Sequence, residues 1–350
     1  MCTSKESVKS DAEDLFKYYL YAVQGFVIGL ANLLIVCTIL RHKSLRCRKE
    51  FVPIGFLAFA DVLNELGYLS AGIYRILLVT NADQPQVKVD SWWCMLTVHN
   101  LIWIFGSILA PLMLSCVSID RLITVALPIR YYTLTRAYSC LLVAGFYGFG
   151  IVCGLGAILV SYSQPSDPKF KKLCFLDMAV GSSGYKNFYW GARTAGAVVS
   201  VLLYLFIPFV YMYQVRRVKS AEHVRRQRKL NVTLGVGAFC TFCFTVLPTI
   251  FRLWILNNKR GVLYFIFVPY NAAIMNINPF VNIFLYAFRH KRFRTGLKCL
   301  LMCQRMPNLA FSATNSSRRR SSSIRVIDKV ALIQSSDRVK WMERCRADTV

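Results

Sequence analysis

Charge is scarce in this sequence, and most of it has one sign. Charged residues make up 17% of the 350-residue chain against 55% hydrophobic residues, a balance soluble domains rarely show. Acids are the scarcer kind: 17 Asp and Glu stand against 43 Lys and Arg, for a formal net charge of +26. Only four histidines are present. No His–carboxylate, Ser–Lys or paired-Asp arrangement falls at catalytic spacing, so the chain is expected to be no enzyme and to have no catalytic residues. The 13 cysteines contain no CxxC pair matched by a second pair, so no metal site or cofactor is expected. Internal repeats and paired broken helices of the transporter kind are missing too. The N-terminal stretch MCTSKESVKSDAED lacks the apolar core of a cleavable signal peptide, which leaves the first span to act as its own insertion signal.

What is there is long apolar runs nearly free of charge. A run of about 20 apolar residues can cross the hydrocarbon layer as a helix. Seven such runs are legible, at 18–40, 51–79, 93–122, 139–162, 188–215, 230–256 and 262–288. Backbone polar groups in lipid must pair internally, so each run is expected to be helical, and short links make consecutive helices antiparallel. The fold class is therefore all-α, a seven-transmembrane helix bundle. After it, AFRHKRFRTGLKCLLMC places Phe288, Phe293, Leu297, Leu300 and Leu301 at helical spacing between basic residues. That reads as a short amphipathic eighth helix lying in the interface. The expected organisation is an extracellular N-terminus (1–17), a seven-helix domain (18–288), the interfacial helix (289–303) and a disordered cytoplasmic tail (304–350).

Orientation follows from where the cations lie. The segments 41–50, 129–135 and 214–229, the adjoining helix ends and the C-terminal tail hold about 30 of the 43 basic residues, against about 7 acids. The positive-inside rule puts that side in the cytoplasm and the N-terminus outside. A multi-pass plasma-membrane protein results, with its basic face against anionic lipids. The basic residues avoid the apolar runs, whereas a nucleic-acid binder spreads them over folded faces, so no nucleic-acid partner is expected.

Asp61 stands in the middle of a span, in LAFADVLNELG. A carboxylate there costs about 3 kcal/mol on insertion scales and needs a polar partner. Asn32, Asn278 and Asn282 are candidates, and together the four form an expected core polar cluster. Two readings are open: a hydrated switch or cation site, or a hydrogen-bond network that fixes packing. A transporter or channel using this cluster as an ion path is the alternative function. Glu65, one turn beyond, faces the same cavity on this reading.

Asp120-Arg121 closes the third span, and alone it is a weak signal, since an exposed pair is worth about 0–1 kcal/mol. In its context, IDRLITVALPIRY, it resembles the rhodopsin-like (class A) G-protein-coupled receptor signature of a D-R-Y triplet followed by Pro and an aromatic. Here the triplet is Asp120-Arg121-Leu122, with Pro128 and Tyr131 at matching offsets. Asn32 in GLANLLIV, Asp61 in LAFAD, and Pro208 and Pro248 resemble further family motifs in the right order. The wording I-D-R-L-I is similar to nematode serpentine chemoreceptors.

The sequence departs from the pattern in several places. The triplet ends in Leu122, Cys94 lies two residues further from Arg121 than the family spacing, the fourth span has no Trp, and Thr245-Val246-Leu247-Pro248 replaces Cys-Trp-x-Pro. The N-P-x-x-Y motif reads Asn282-Ile283-Phe284-Leu285-Tyr286, with Asn278-Pro279 one turn earlier.

The resemblance implies a receptor that binds an extracellular ligand, peptide or small molecule, and activates a heterotrimeric G protein. It implies a disulfide between Cys94 and Cys174, both on the side where oxidation is allowed. Asp120 would hold Arg121 at rest, Pro248 would kink the sixth helix, and Tyr286 would swing toward Arg121. Each has a plainer reading: a fixed ion pair, a packing kink and an interfacial anchor. Cys299 and Cys303 are lipidation candidates, and Ser321, Ser322 and Ser323 after three arginines are phosphorylation candidates. The ligand site is unassigned. Outer aromatics such as Trp103, Tyr189 and Trp190 are expected as interface belt, and Arg193 and Arg252 are expected to snorkel.

Overall fold

The structure is a computed structural model. It describes residues 3–80, 87–164, 170–181, 183–215, 236, 239–257, 270–271, 273–289, 291–302 and 304. The long helices are α1 (Thr3–Arg41), α2 (Phe51–Thr80), α3 (Val98–Ala126), α4 (Arg136–Tyr162) and α5 (Ser183–Val215). A π-turn, Phe242–Val246, leads into α6 (Leu247–Asn257). The last core helix is α7 (Ile277–Arg289), followed by α8 (Lys291–Leu301). Among the described residues, five helices are long and apolar enough to cross a membrane, and two shorter apolar stretches lie at Phe239–Phe251 and Ala273–Leu285. Parts of the sixth and seventh runs (230–235, 262–269) and nearly all of the tail from 304 lie outside the described residues.

Three departures from the sequence reading have local causes. The first helix starts at Thr3 rather than 18, so the polar N-terminal residues continue the helix. The third run is interrupted: a short helix, Ser91–Met95, ends at Leu96, and α3 starts at Val98. The Asp90 side chain caps the short helix, accepting from the Trp93 backbone N–H at 2.7 Å, and Thr97 Oγ1 donates to the Cys94 carbonyl at 2.7 Å. Leu96 and Thr97 thus occupy a break, and the break absorbs the extra residues between Cys94 and Arg121. Near the chain's other end, a turn at Asn276 precedes α7, which puts Pro279 in the first turn of that helix. There its missing N–H has no intrahelical partner to lose.

The helices at the centre are α2 and α3. Two thirds (67%) of each apolar window is buried, against 28% for α4. α3 packs on α2, α4 and α5, and α1 packs on α2. Small residues set the distances, as membrane helices require. A Cβ on Gly106 would lie 2.3 Å from the Asn64 backbone nitrogen. One on Gly72 would lie 2.7 Å from the Ala22 nitrogen. Outward faces carry Leu141, Val152, Leu159, Leu202 and Phe209, all exposed, as suits a lipid-facing belt.

α8 carries Phe293, which is fully buried and stacks on Phe51 with ring centroids 6.5 Å apart, beside Leu45 and Ile39. His42 Nε2 lies 3.0 Å from the Gly296 carbonyl. Lys291, Arg292, Arg294 and Lys298 are exposed, so the helix has one apolar and one basic face.

Gly106→Ala is expected to destabilise the protein by about 1–3 kcal/mol, because the clash is with backbone and cannot be relieved by a rotamer change. Gly145, whose Cβ would meet nothing within 4 Å, is the control: Gly145→Ala should be neutral or gain up to about 1 kcal/mol. Thermal denaturation of the purified full chain in detergent reads both.

Candidate functional site

At one end of the bundle, Asp120 and Arg121 are both withdrawn from solvent, with side chains 0% and 5% exposed. This is a buried pair, unlike the solvated pair that sequence alone leaves open. Arg121 Nη2 lies 3.6 Å from Asp120 Oδ2 and donates to the Glu50 carbonyl at 3.1 Å. The Tyr131 hydroxyl donates to both Asp120 oxygens, at 3.3 and 3.4 Å. Burial, and then the Asp120 carboxylate, push the Tyr131 phenol well above its ordinary pKa, so it stays a donor. Lys49 sits over the Tyr131 ring, 4.2 Å from its centroid, and its ammonium donates to the Tyr131 carbonyl and to the Leu134 carbonyl at 2.7 Å. Two short segments, one before α2 and one between α3 and α4, are thereby tied to the end of α3. Basic residues crowd this end: Arg41, Lys43, Arg46 and Arg130 are exposed beside it.

In the sixth run, Pro248 is buried two residues after the end of the π-turn. Thr241 Oγ1 donates to Asn278 Oδ1 at 3.2 Å, joining the strand of chain before α6 to α7. Asn282 and Tyr286 lie on α7, and their side chains are outside the described residues, as is that of Arg252. Cys299 lies on α8; Cys303 and Ser321 to Ser323 are outside the description.

In the core, Asp61 (3% exposed) and Asn32 (0%) are buried. Asn32 Nδ2 donates within its own helix, to the Ile28 carbonyl at 3.1 Å. Among the described residues the Asn32 Oδ1 has no hydrogen-bond partner. The inner face of α2 continues outward as Asp61, Glu65, Tyr68, Gly72 and Arg75, spaced at three and four residues. Asn64 Nδ2 donates to Glu65 Oε1 at 3.1 Å, and Glu65 is fully buried. Gln24 Nε2 on α1 donates to the Ala273 carbonyl at 3.2 Å.

The opposite end is organised by Cys94 and Cys174, which form a disulfide with Cα atoms 5.1 Å apart. Cys174 has φ +46°, left-handed backbone that a non-glycine residue adopts only when held. Three side chains of the bundle do the holding. Asn100 Nδ2 donates to the Cys174 carbonyl at 3.2 Å and to the Cys94 carbonyl at 2.9 Å, and His99 Nε2 lies 3.2 Å from the Cys174 carbonyl. Arg75 donates from Nε to the Leu173 carbonyl at 3.0 Å and from Nη2 to the Cys174 carbonyl at 3.3 Å. Tyr74 adds a bond to the Lys172 carbonyl at 3.0 Å.

Arg75 and His99 escaped the sequence reading. Arg75 looks like a snorkelling cation, five residues from a helix end, yet it is 0% exposed. The aromatics also divide differently from a uniform belt. Tyr189 is fully buried, donating to the Ile104 carbonyl at 2.5 Å with Ser107 Oγ 2.6 Å away. Tyr68 packs on Trp103 with centroids 4.5 Å apart, and Arg193 lies over the Trp190 ring at 4.9 Å. Trp93 and Trp254 are exposed, as a belt requires.

Comparison with known proteins gives this arrangement a family. The pattern described as "Serpentine type 7TM GPCR chemoreceptor Srsx" matches residues 25–301. Trace amine-associated receptor 9 of Homo sapiens is 26% identical over 321 residues, covering 81% of this chain and 84% of the relative. Apelin receptor A of Danio rerio is 24% identical over 313 residues, covering 83% and 84%. Trace amine-associated receptor 9 of Rattus norvegicus is 25% identical over 333 residues, covering 84% and 90%.

Tyr131→Phe removes the hydroxyl donor of a buried carboxylate and should cost about 1–3 kcal/mol. A fall of several degrees in the melting midpoint, with the Cys94–Cys174 bond still formed, is the expected outcome. An unchanged midpoint means that Asp120 does not depend on this bond.

Proposed function

The chain belongs to the serpentine Srsx family of seven-transmembrane G-protein-coupled chemoreceptors, and from that premise we propose that it detects a ligand at the disulfide end and engages a heterotrimeric G protein at the Arg121 end. As a receptor of this family it is a membrane protein and not an enzyme. The proposal places it in the plasma membrane with the N-terminus outside. The excess of Lys and Arg at the Arg121 end supports this orientation through the positive-inside rule.

One observation carries the coupling role: Arg121 is stored. Its guanidinium is buried, paired to Asp120 and capped by the Glu50 carbonyl. A guanidinium is permanently charged and forms planar, forked hydrogen bonds. Held inward it satisfies its neighbours; released, it offers those donors to a partner entering from the basic side. The bistable element is the sixth run, where a π-turn meets Pro248. Pro248 removes one backbone donor, and π-turns mark points where a helix changes register. Asn278 bonded to Thr241 couples that element to α7, and Tyr286 on α7 is the proposed partner of the released arginine.

The same reading makes Asp61, with Asn32, Asn278 and Asn282, a polar core linking the two ends. An ion path through that cluster is the competing function. The ligand is a small molecule or a peptide. The amine in the name of one relative is a property of that relative, and at 26% identity it does not fix the chemistry here. Cys299 and Cys303 are proposed lipidation sites and Ser321, Ser322 and Ser323 proposed phosphorylation sites, on sequence grounds alone.

Two outcomes test this. In reporter cells expressing a panel of G proteins, Arg121→Ala should reduce signalling at least about tenfold, a loss of about 1.4 kcal/mol in coupling, with surface expression intact. Signalling at the level of the unaltered protein removes the role. Epitope tags on the two termini should be accessible from opposite faces of intact cells, the N-terminal tag outside. Accessibility from one face overturns the seven-span orientation.

A further inference from the structure

Five residues before its end, α2 carries a buried cation whose described partners include no acid. Arg75 is fully buried. Of its three nitrogens, Nε and Nη2 donate to the Leu173 and Cys174 carbonyls, while Nη1 has no hydrogen-bond partner among the described residues. The titratable side chains around it are the phenols of Tyr18, Tyr21, Tyr68 and Tyr74, which are neutral at pH 7 and cancel none of its charge. Carbonyls accept a hydrogen bond without cancelling a charge, and an arginine cannot deprotonate to escape the penalty.

The surroundings of that nitrogen are built rather than loose. The guanidinium carbon lies 4.2 Å from the Phe175 ring centroid, 5.9 Å from that of Tyr18 and 6.0 Å from that of Trp103. These are cation–π distances. Trp103 brings a second donor: its indole Nε1–H is buried and has no partner among the described residues. The indole is held in place, because Gly67 leaves room for it (a Cβ there would sit 2.7 Å from Trp103 Cβ) and Tyr68 packs on it at 4.5 Å. The acceptor side of the pocket is fixed as well, since Leu173 and Cys174 are stapled to the top of the bundle through Cys94. Aromatic rings therefore surround a full positive charge and two unused donors, on two different helices.

We propose that this pocket binds a carboxylate group of the receptor's ligand, with the Arg75 Nη1 and Trp103 Nε1 hydrogens donating to the carboxylate and the rings of Tyr18 and Phe175 packing against the part of the ligand next to it. The charge selects an anion, and the aromatic walls favour an organic acid over a hydrated inorganic ion. The sulfur bridge and the loop it pins form the roof. The proposal rests on the receptor reading for the side from which ligand arrives, and it specifies what that reading leaves open, the chemical class.

The test is binding to the purified full chain, read as a shift in melting midpoint, so it does not depend on coupling to a G protein. The probes are benzoate, phenylacetate and hexanoate, each against its methyl ester and the matching primary amine. At least one carboxylate should raise the midpoint where its ester and amine do not, and Arg75→Gln should abolish that shift. Arg75→Lys, which keeps the charge and loses the planar fork, should weaken binding about tenfold and covers the case where Arg75→Gln does not fold. Tyr74→Phe loosens the same loop at the Lys172 carbonyl and leaves both hydrogen bonds of the guanidinium in place, and it should retain the acid response. No acid-specific shift from any carboxylate overturns the proposal, as does a shift unchanged in Arg75→Lys. Loss of the acid response in Tyr74→Phe equal to that in the arginine variants assigns Arg75 to loop anchoring alone and overturns it too. Failure here with Arg121-dependent signalling intact leaves the receptor reading standing, and acid binding without signalling does the reverse.

Discussion

The contact between α2 and α3 is tight at Gly106 and Gly67, and the functional groups at both ends take their places from it. Gly106 admits the backbone of α2 at Asn64, and Gly67 admits the Trp103 side chain. In lipid there is no hydrophobic force to press helices together, so such close approach supplies the attraction itself through dispersion and packing. Because the two helices are locked over this length, Asp61, Glu65, Tyr68 and Arg75 must face the bundle interior. Trp103 is held beside Arg75, and Arg121 lies within reach of the Glu50 carbonyl at the start of α2. A looser pair of helices would let each of these groups find its own solution.

Two buried guanidiniums then define opposite ends of the molecule, and they differ in one respect. Arg121 has an adjacent carboxylate, which is itself fixed by Tyr131. Arg75 has backbone carbonyls and aromatic faces. The first arrangement is closed: its charge is neutralised from within, and opening it requires displacement of a helix or a loop. The second is open in the electrostatic sense, since an added anion lowers its energy without displacing any ion already there. A receptor needs that asymmetry. On the proposed reading, the Arg75 end must gain by binding, and the Arg121 end must be stable until something else changes.

The first five spans were legible because length and apolarity mark a membrane helix, and no tertiary contact has to be known. The departures all involve groups whose partners are remote in sequence or whose effect is local stereochemistry. Arg75 in GIYRILL gives no sign of its burial, since its acceptors lie 98 and 99 residues away. Tyr189 reads as belt until Ser107 and the Ile104 carbonyl are placed against its hydroxyl. The interruption at Leu96 and Thr97 was visible only as an anomaly in the spacing of Cys94. Its cause, an Asp90 cap and a Thr97 hydroxyl bond, is a polar signal inside an apolar run. Among the polar cluster, Asp61 announced itself by cost. Which asparagines it needs was not decidable from a sequence in which several lie at compatible heights.

The altered motifs in the sixth and seventh runs also make physical sense together. The sixth has lost its aromatic before the proline, and the seventh has its proline at Pro279 rather than one turn later. In the structure Pro279 occupies the first turn of α7, where it ends nothing and kinks nothing. The distortion that a later proline would impose is instead concentrated on the π-turn Phe242–Val246 ahead of Pro248. Pro248 cannot donate to the Phe244 carbonyl, so that stretch of helix lacks one bond of its α ladder. A π-turn contains about one residue more than an α-turn, and converting one to the other rotates everything beyond it by about 100°. On the proposed reading, a bound ligand need only favour one register over the other for the far end of the sixth helix to move, with no large side chain acting as the toggle. The hydrogen bond from Thr241 to Asn278 sits at the start of that turn, so the register is sensed by α7 as well as by α6.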